Sequence, residues 1–149
     1  NMKIRALTYH DKEIWNRVAV YAENCSWQTT GKFLSDRMKA KDFKDWERVF
    51  VALKNNQIAG FCALTKECSL SPITYTPFIG FVFVGESYRG NRISEQLCLT
   101  SIQYAKIIGF DKVYLYSDIV GLYEKYGFTK IDEKEAPWGK VQSIYMHNT

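Results

Sequence analysis

The 149-residue chain has only three prolines, four cysteines and no long hydrophobic run. The low proline content excludes a collagen-like or low-complexity chain, and 46% hydrophobic residues exclude a disordered one. Cys25, Cys62, Cys68 and Cys98 form no Cys-x-x-Cys pair, and the N-terminus lacks the basic-then-apolar pattern of a secretory signal. We therefore expect a reduced protein of the cytoplasm.

Membrane, nucleic acid and metal are not expected partners. The longest apolar stretch, Phe78–Val84, is far shorter than the roughly 20 residues that a membrane helix needs. Lys and Arg outnumber Asp and Glu by 20 to 16, but they are spread along the chain and form no basic block. His10 and His147 have no metal-ligand spacing to other residues. Asn1 precedes Met2, so we expect Asn1 to derive from an expression vector.

Hydrophobic periodicity predicts one domain over residues 1–149, of the α/β or α+β class with a mixed sheet. Asn55-Asn56 suits a tight turn between two antiparallel strands. Phe78–Val84 is apolar on both faces and is predicted in the middle of the sheet. The predicted strands are Lys3–Leu7, Arg48–Leu53, Gln57–Thr65, Phe78–Val84, Lys112–Tyr116, Phe128–Lys134 and Val141–His147. A first helix is predicted after Asp11, its possible cap, because Ile14, Val18 and Tyr21 fall at helical spacing. Three further helices are predicted over Gly31–Ala40, Asn91–Ile108 and Ile119–Tyr126, and Ser69–Pro77 is predicted as a loop.

The turn between the central strand and the longest helix is the most informative feature. It reads Gly85-Glu86-Ser87-Tyr88-Arg89-Gly90-Asn91-Arg92-Ile93-Ser94. Such a turn directs unpaired backbone N–H groups and the positive end of a helix dipole to one place. That arrangement suits the pyrophosphate of a nucleotide-like molecule, although a plain structural turn has the same pattern.

Two motifs resemble the GNAT superfamily of acetyl-CoA-dependent N-acyltransferases. The family's pyrophosphate loop reads Gln/Arg-x-x-Gly-x-Gly/Ala, and Arg89–Ser94 is similar to it, with Arg92 at the usual inner glycine. Arg92 would either narrow the approach to the backbone or reach a phosphate itself. The second motif, Gly121–Phe128, is similar to the family's Leu-Tyr-Glu-Lys-x-Gly-Phe stretch.

The resemblance implies a mixed, mostly antiparallel sheet of six to seven strands, flanked by helices and splayed between its central strands. It also implies that the pantetheine arm inserts into the splay, bound by main-chain groups. The residues expected to bind acetyl-CoA are Val82, Phe83, Val84, Arg89, Gly90, Asn91, Arg92, Ile93 and Ser94.

The resemblance further implies a general acid and leaves the general base open. Tyr123 matches the family's tyrosine that protonates the departing thiolate of coenzyme A, a transfer that a phenol can perform. Asp118 is expected to be the base or a helix cap, and Glu23 and Glu67 are further candidates. Trp27 is expected either in the core or in the acceptor pocket.

These observations predict an N-acetyltransferase that moves an acetyl group from acetyl-CoA to a primary amine by direct attack in a ternary complex, without a metal. The amine belongs to a small molecule or a peptide, and its identity is not predicted. A non-catalytic acyl-CoA-binding module is the alternative, and a structural domain is a second one. A homodimer is compatible with the sequence.

Overall fold

Seven strands form one mixed sheet in a computed structural model that describes residues 1–68, 70 and 74–149. The order across the sheet is β1-β2-β3-β4-β5-β7-β6, and only β4 and β5 among these neighbours run parallel. The predicted mixed, mostly antiparallel sheet is therefore confirmed. The strands are β1 (Met2–Leu7), β2 (Arg48–Lys54), β3 (Gln57–Thr65), β4 (Phe78–Val84), β5 (Lys112–Ser117), β6 (Thr129–Glu135) and β7 (Val141–Asn148).

Helices cover both faces of the sheet because its central strands are apolar on both sides. The helices are α1 (Lys12–Asn24), α2 (Gln28–Lys39), α3 (Ile93–Ile107) and α4 (Leu122–Lys125). α1 and α2 pack with alternate residues of β2 and β3 on one face, whereas α3 and α4 pack with the other alternate residues on the opposite face. None of the described helices is long and apolar enough to cross a membrane.

The β2–β3 hairpin forms as its turn residues predict. Asn55 and Asn56 both adopt positive φ, 49° and 64°, and Lys54 lies opposite Gln57. Asparagine tolerates this left-handed conformation better than most residues. The local turn sequence therefore sets the register of two core strands.

α2 begins three residues before its predicted start at Gly31. A Cβ built on Gly31 would lie 2.2 Å from the carbonyl oxygen of Ala22, so only glycine allows α2 to pass so close to the end of α1. Gly31 is thus a helix-crossing residue inside α2, and the prediction that it starts the helix is wrong. Tertiary packing, which no local pattern reports, determines its position.

Two further predictions about helix ends need correction. Asp11 occupies the N-cap position of α1, but its carboxylate accepts a hydrogen bond from the N–H of Thr8 at 3.0 Å, before the helix. α4 spans only Leu122–Lys125 because Gly121, at φ 88°, ends the preceding loop in a left-handed conformation. In the predicted loop Ser69–Pro77, residues 69 and 71–73 lie outside the described residues.

Candidate active site

The central strands β4 and β5 separate along their length. Among the described residues they pair only at Phe78 opposite Tyr114, where the N–H of Tyr114 donates to the carbonyl of Pro77 at 2.9 Å. Beyond this point β4 contains a bulge, because Phe81 has a φ of 54° and the register with β3 shifts between Phe61 and Ala63. Bulges bend a strand and redirect its peptide groups. The predicted splay is confirmed, and the bulge at Phe81 accompanies it.

The bulge was not predicted from the sequence, although Gly80 gave a signal for it. A glycine inside an otherwise apolar strand often marks a bulge or a close approach of another molecule. A positive φ at a phenylalanine carries a conformational cost of order 1–3 kcal/mol. Packing offsets such a cost at Phe81, since its ring stacks on that of Phe33 in α2 with the ring centroids 6.2 Å apart.

The open edge of β4 offers main-chain groups to the splay. The N–H of Gly85 donates to the carbonyl of Ala59 at 2.8 Å, so the main-chain groups of Gly85 point toward β3. Because main-chain groups alternate in direction along an antiparallel strand, the N–H and C=O of Val84 point away from β3 and those of Phe83 point toward it. The carbonyl of Val84 indeed accepts from Nε of Arg89 at 3.0 Å. Val84 and, by the same alternation, Val82 carry groups that face the splay, whereas those of Phe83 pair with β3.

The loop from β4 to α3 has the geometry of an anion-binding turn. Gly90 adopts φ 84° and Arg92, the N-cap of α3, adopts φ 60°. The side chain of Asn91 donates to the carbonyl of Tyr88 at 3.0 Å and closes the turn. The first turn of α3, which contains Ile93 and Ser94, has backbone N–H groups without acceptors inside the helix. These groups point into the loop, at the end of the splay.

The side chain of Arg92 is engaged with the helix that it precedes. Its guanidinium NH2 and Nε lie 2.6 and 2.8 Å from Oε1 of Glu95, and three quarters of the Arg92 side chain is exposed. Arg92 is left-handed, as the family's glycine would be, and α3 begins after it, so the predicted start of this helix at Asn91 is wrong. In this structure the guanidinium neutralises a carboxylate in the first turn of α3.

Tyr123 of α4 is buried in an aromatic cluster on the α3 side of the sheet. Its ring meets those of Tyr126, Phe128 and Tyr145 at centroid distances of 5.7, 6.0 and 5.9 Å. Burial, with the nearby Cys98 and the surrounding tyrosines, raises the pKa of Tyr123 well above its ordinary value of 10. The phenol therefore holds its proton over the whole physiological pH range.

A hydrogen bond that the sequence did not predict joins the two motifs. The hydroxyls of Ser94 and Tyr126 lie 2.5 Å apart and connect the first turn of α3 to the end of α4. Tyr126, the residue after α4, therefore ties this helix to α3 as well as packing against Tyr123. No sequence spacing reports this contact, since 32 residues separate the partners.

The carboxylates considered as bases lie in different places. Asp118 follows β5, is half exposed and pairs with Nζ of Lys140 at 3.5 Å. Since Gly121 occupies the N-cap of α4, the prediction that Asp118 caps this helix is wrong. Glu23 pairs with Nζ of Lys39 at 2.6 Å on the helical side of the molecule.

Trp27 lies at the N-cap of α2, and its ring stacks on Phe83 of β4 at 6.3 Å while remaining 42% exposed. It therefore lies over β4 on the face opposite α3, at the surface rather than in the core. Glu67 follows β3 on the segment that leads toward β4. In residues 1–68, 70 and 74–149, no group of three or more His, Cys, Asp or Glu side chains is arranged to hold a metal ion.

The sequence matches the model of the acetyltransferase (GNAT) family over residues 12–128. The chain belongs to the acetyltransferase (GNAT) family. No curated protein matches the sequence. This membership makes the protein an acetyl-CoA-dependent N-acyltransferase with acetyl-CoA as its cosubstrate.

Solved structures share the fold of this GNAT protein at low sequence identity. An aminoglycoside 6'-acetyltransferase type Ii superposes with a TM-score of 0.77 at 14% identity, covering 98% of this chain and 96% of the other. An aminoglycoside 6'-N-acetyltransferase complexed with coenzyme A superposes with a TM-score of 0.74 at 12% identity, covering 98% of this chain and 96% of the other. An N-acetyltransferase from Staphylococcus aureus Mu50 superposes with a TM-score of 0.67 at 19% identity, covering 99% of this chain and 98% of the other. At these identities the likeness shows the fold.

Proposed function

We propose that this protein transfers an acetyl group from acetyl-CoA to a primary amine by direct attack in a ternary complex. The observation that supports this most is the splay between β4 and β5, bent open at Phe81, with the first turn of α3 at its end. The splay offers main-chain groups to an extended arm, and the turn offers N–H groups to phosphate. Both belong to one continuous surface.

Backbone groups are proposed to hold the cosubstrate. Val82 and Val84 supply the strand to which the pantetheine arm adds, whereas Phe83, which the sequence also predicts as a ligand, has its main-chain groups turned toward β3. The loop contributes N–H groups around the pyrophosphate, and its negative charge is favoured by the α3 dipole. The proposed pyrophosphate ligands are Arg89, Gly90, Asn91, Arg92, Ile93 and Ser94.

Tyr123 is proposed as the general acid. The amine nitrogen forms a bond to the acetyl carbonyl carbon, the carbon–sulfur bond breaks, and the phenol of Tyr123 donates its proton to the departing sulfur. The second proton that the nitrogen loses as it becomes an amide returns to the Tyr123 phenolate through water. The proton passes from a phenol to a thiolate whose thiol has an ordinary pKa of about 8.5, below that of a phenol, so the transfer is uphill and is coupled to breaking of the carbon–sulfur bond. The raised pKa of Tyr123 keeps the donor protonated before the step.

Asp118 is proposed as the general base that accepts the proton of the arriving ammonium. Asp118 lies one residue after β5, on the segment that leads to α4 and Tyr123. Its partner Lys140 holds it at 3.5 Å in a half-exposed position. A water relay to this carboxylate would serve the same purpose.

A coupled binding and turnover experiment tests the proposal. Calorimetry measures the affinity for acetyl-CoA, and release of free thiol with a panel of amines measures turnover. We expect saturable binding and amine-dependent thiol release. Binding without turnover would identify an acyl-CoA-binding module, and absence of binding would identify a structural domain.

The same proposal covers the extent and location of the protein. We take residues 1–149 as one acetyltransferase domain. The four cysteines, all within the described residues, have free thiols, and Cys62 and Cys98 are buried. Free buried thiols support a reducing location such as the cytoplasm.

A further inference from the structure

The sheet face opposite α3 is divided into two separate hydrophobic clusters. One lies under α1 and α2 and includes Phe83, with Phe81 packed at its border. The other consists of Leu70, Ala136 and Ile144, with Tyr75, Tyr116 and Cys68 at its border. The first cluster reaches β4 and the second reaches β5, so the boundary between them follows the splay.

Gly80 lies at this boundary. It pairs with Ala63 of β3, whose side chain belongs to the α1/α2 cluster, and cross-strand partners share a face. Apart from its chain neighbours, no heavy atom of the described residues lies within 4 Å of a Cβ built on Gly80. Within the described part of the chain, Gly80 is therefore the floor of an open space over β4.

Exposed aromatic rings line the α2 side of this space. Phe33 is 60% exposed and stacks on Phe81, and Trp27 is 42% exposed and stacks on Phe83. Neither ring is in the core, although each is held in place by a partner on β4. Large apolar side chains clustered at a surface usually mark a binding site.

Aromatic rings also line the β5 side. Tyr116 lies 6.5 Å from Phe78 and 6.3 Å from Trp138, which is 54% exposed in the β6–β7 turn. We call the space the aromatic cleft, with Gly80 as its floor, Phe33 and Phe81 on one side, and Tyr116 and Trp138 on the other.

One of the two carboxylates considered at the aromatic cleft is neutralised by a basic partner within the protein. Asp118 pairs with Lys140, two residues after Trp138. Asp132 accepts a hydrogen bond from the hydroxyl of Tyr75 at 3.4 Å. A polycationic acceptor would need several carboxylates without a basic partner, and of these two only Asp132 has none among the described residues. The chain as a whole is positively charged, by +4.

We propose that the aromatic cleft binds the acceptor, and that the acceptor is a monoamine on an aromatic body. This inference rests on the proposed acetyl transfer and names its substrate class. α3 occupies the opposite face, so the amine reaches the splay from the α2 side. Ring faces attract both a flat apolar body and a protonated amine. Phe33 and Gly80 are specificity-determining residues in this cleft.

The test compares amines with acetyl-CoA saturating. The probes are 2-phenylethylamine, tryptamine, butylamine, spermidine and kanamycin. We expect kcat/KM for the two aromatic amines to exceed that of each other amine by about tenfold or more, because ring contacts contribute through binding. A preference for spermidine or kanamycin would overturn the substrate class.

Three variants test the cleft itself. Phe33→Ala should raise KM for 2-phenylethylamine about three- to tenfold, and Gly80→Val, at a position without positive φ, should raise it further by filling the floor. Ile107→Ala, at an exposed apolar residue at the end of α3, is the control and should leave KM unchanged. Unchanged KM in both cleft variants would overturn the proposal.

A measurement of acetyl-CoA binding distinguishes failure of the cleft proposal from failure of the proposed acetyl transfer. If calorimetry detects acetyl-CoA but no amine turns over, tryptamine binding to the CoA-saturated protein is measured directly. Binding that Gly80→Val weakens supports the aromatic cleft, and absence of binding overturns it. Absence of acetyl-CoA binding overturns the proposed function, and the cleft proposal with it.

Discussion

The hydroxyls of Ser94 and Tyr126 lie 2.5 Å apart and join the pyrophosphate loop to the helix that carries Tyr123. Tyr126→Phe removes this hydrogen bond and leaves the ring in place. We expect a loss of about 1 kcal/mol in unfolding free energy and a Tm lower by roughly 2–4 °C. Ser94→Ala should have a similar effect, and the double variant should cost no more than either alone. Additive losses, measured by thermal denaturation, would show that the two hydroxyls act separately.

Gly90 should be required for acetyl-CoA binding because of its backbone conformation. At φ 84° a β-branched residue is strained, although a Cβ there has open space around it. We expect Gly90→Val to weaken acetyl-CoA binding at least tenfold, about 1.4 kcal/mol, in calorimetry. Gly90→Asn should weaken it less, since asparagine tolerates this conformation.

Gly109 provides the control for strain alone. It has a φ of 102° after the end of α3, also with open space around a built Cβ. Gly109→Val should lower Tm and leave the affinity for acetyl-CoA unchanged. An equal loss of affinity in both valine variants would remove the pyrophosphate assignment from Gly90.

Arg92 should support binding through Glu95. Arg92→Gly relieves the left-handed conformation, but it leaves the Glu95 carboxylate uncompensated in the first turn of α3. We therefore expect Arg92→Gly to weaken acetyl-CoA binding by about tenfold, and Arg92→Gly/Glu95→Gln to restore it. Tighter binding of acetyl-CoA by Arg92→Gly would mean that the arginine side chain obstructs the loop.

Tyr123→Phe isolates the proton that the proposed mechanism needs. The ring and its contacts with Phe128 and Tyr145 remain, so binding of acetyl-CoA should be unchanged. We expect kcat to fall by roughly 10²-fold with a good amine substrate. Tyr126→Phe is the matched phenol control and should change kcat much less. A lower Tm with unchanged kcat would make Tyr123 a structural residue.

Alkaline pH should destabilise the protein through its buried thiols. Burial raises the pKa of Cys62 from 9.0 to about 12, and it also raises that of Cys98. Above pH 9 the unfolded thiols lose protons while the folded ones keep them, so stability is full below pH 9 and falls as pH rises toward 12. Each group contributes a slope of up to about 1.4 kcal/mol per pH unit.

The variant Cys62→Ala tests this assignment. Urea unfolding between pH 8 and 11 should give a shallower loss of stability than in the original protein, whatever its stability at pH 7. An identical pH slope in the two proteins would mean that the Cys62 thiol titrates alike in the folded and unfolded chains.

Local sequence determined most of the secondary structure and the order of the two motifs. Asn55-Asn56 set the β2–β3 turn, and the apolar run Phe78–Val84 predicted a central strand because such a strand is buried on both faces. Gly90 lies at positive φ in the loop that the motif indicates. These features depend on residues close to one another in the chain, which is why a pattern reports them.

Tertiary structure decided the features that join distant segments. Gly31 lies within α2, where α2 passes close to the end of α1. Asp118 pairs with Lys140 and does not occupy the N-cap position of α4. The bulge at Phe81, the bond between Ser94 and Tyr126 and the aromatic cleft over Gly80 each need several elements to meet. Helical and strand periodicity specify which face a residue takes, but only the packed sheet specifies which residue it meets there.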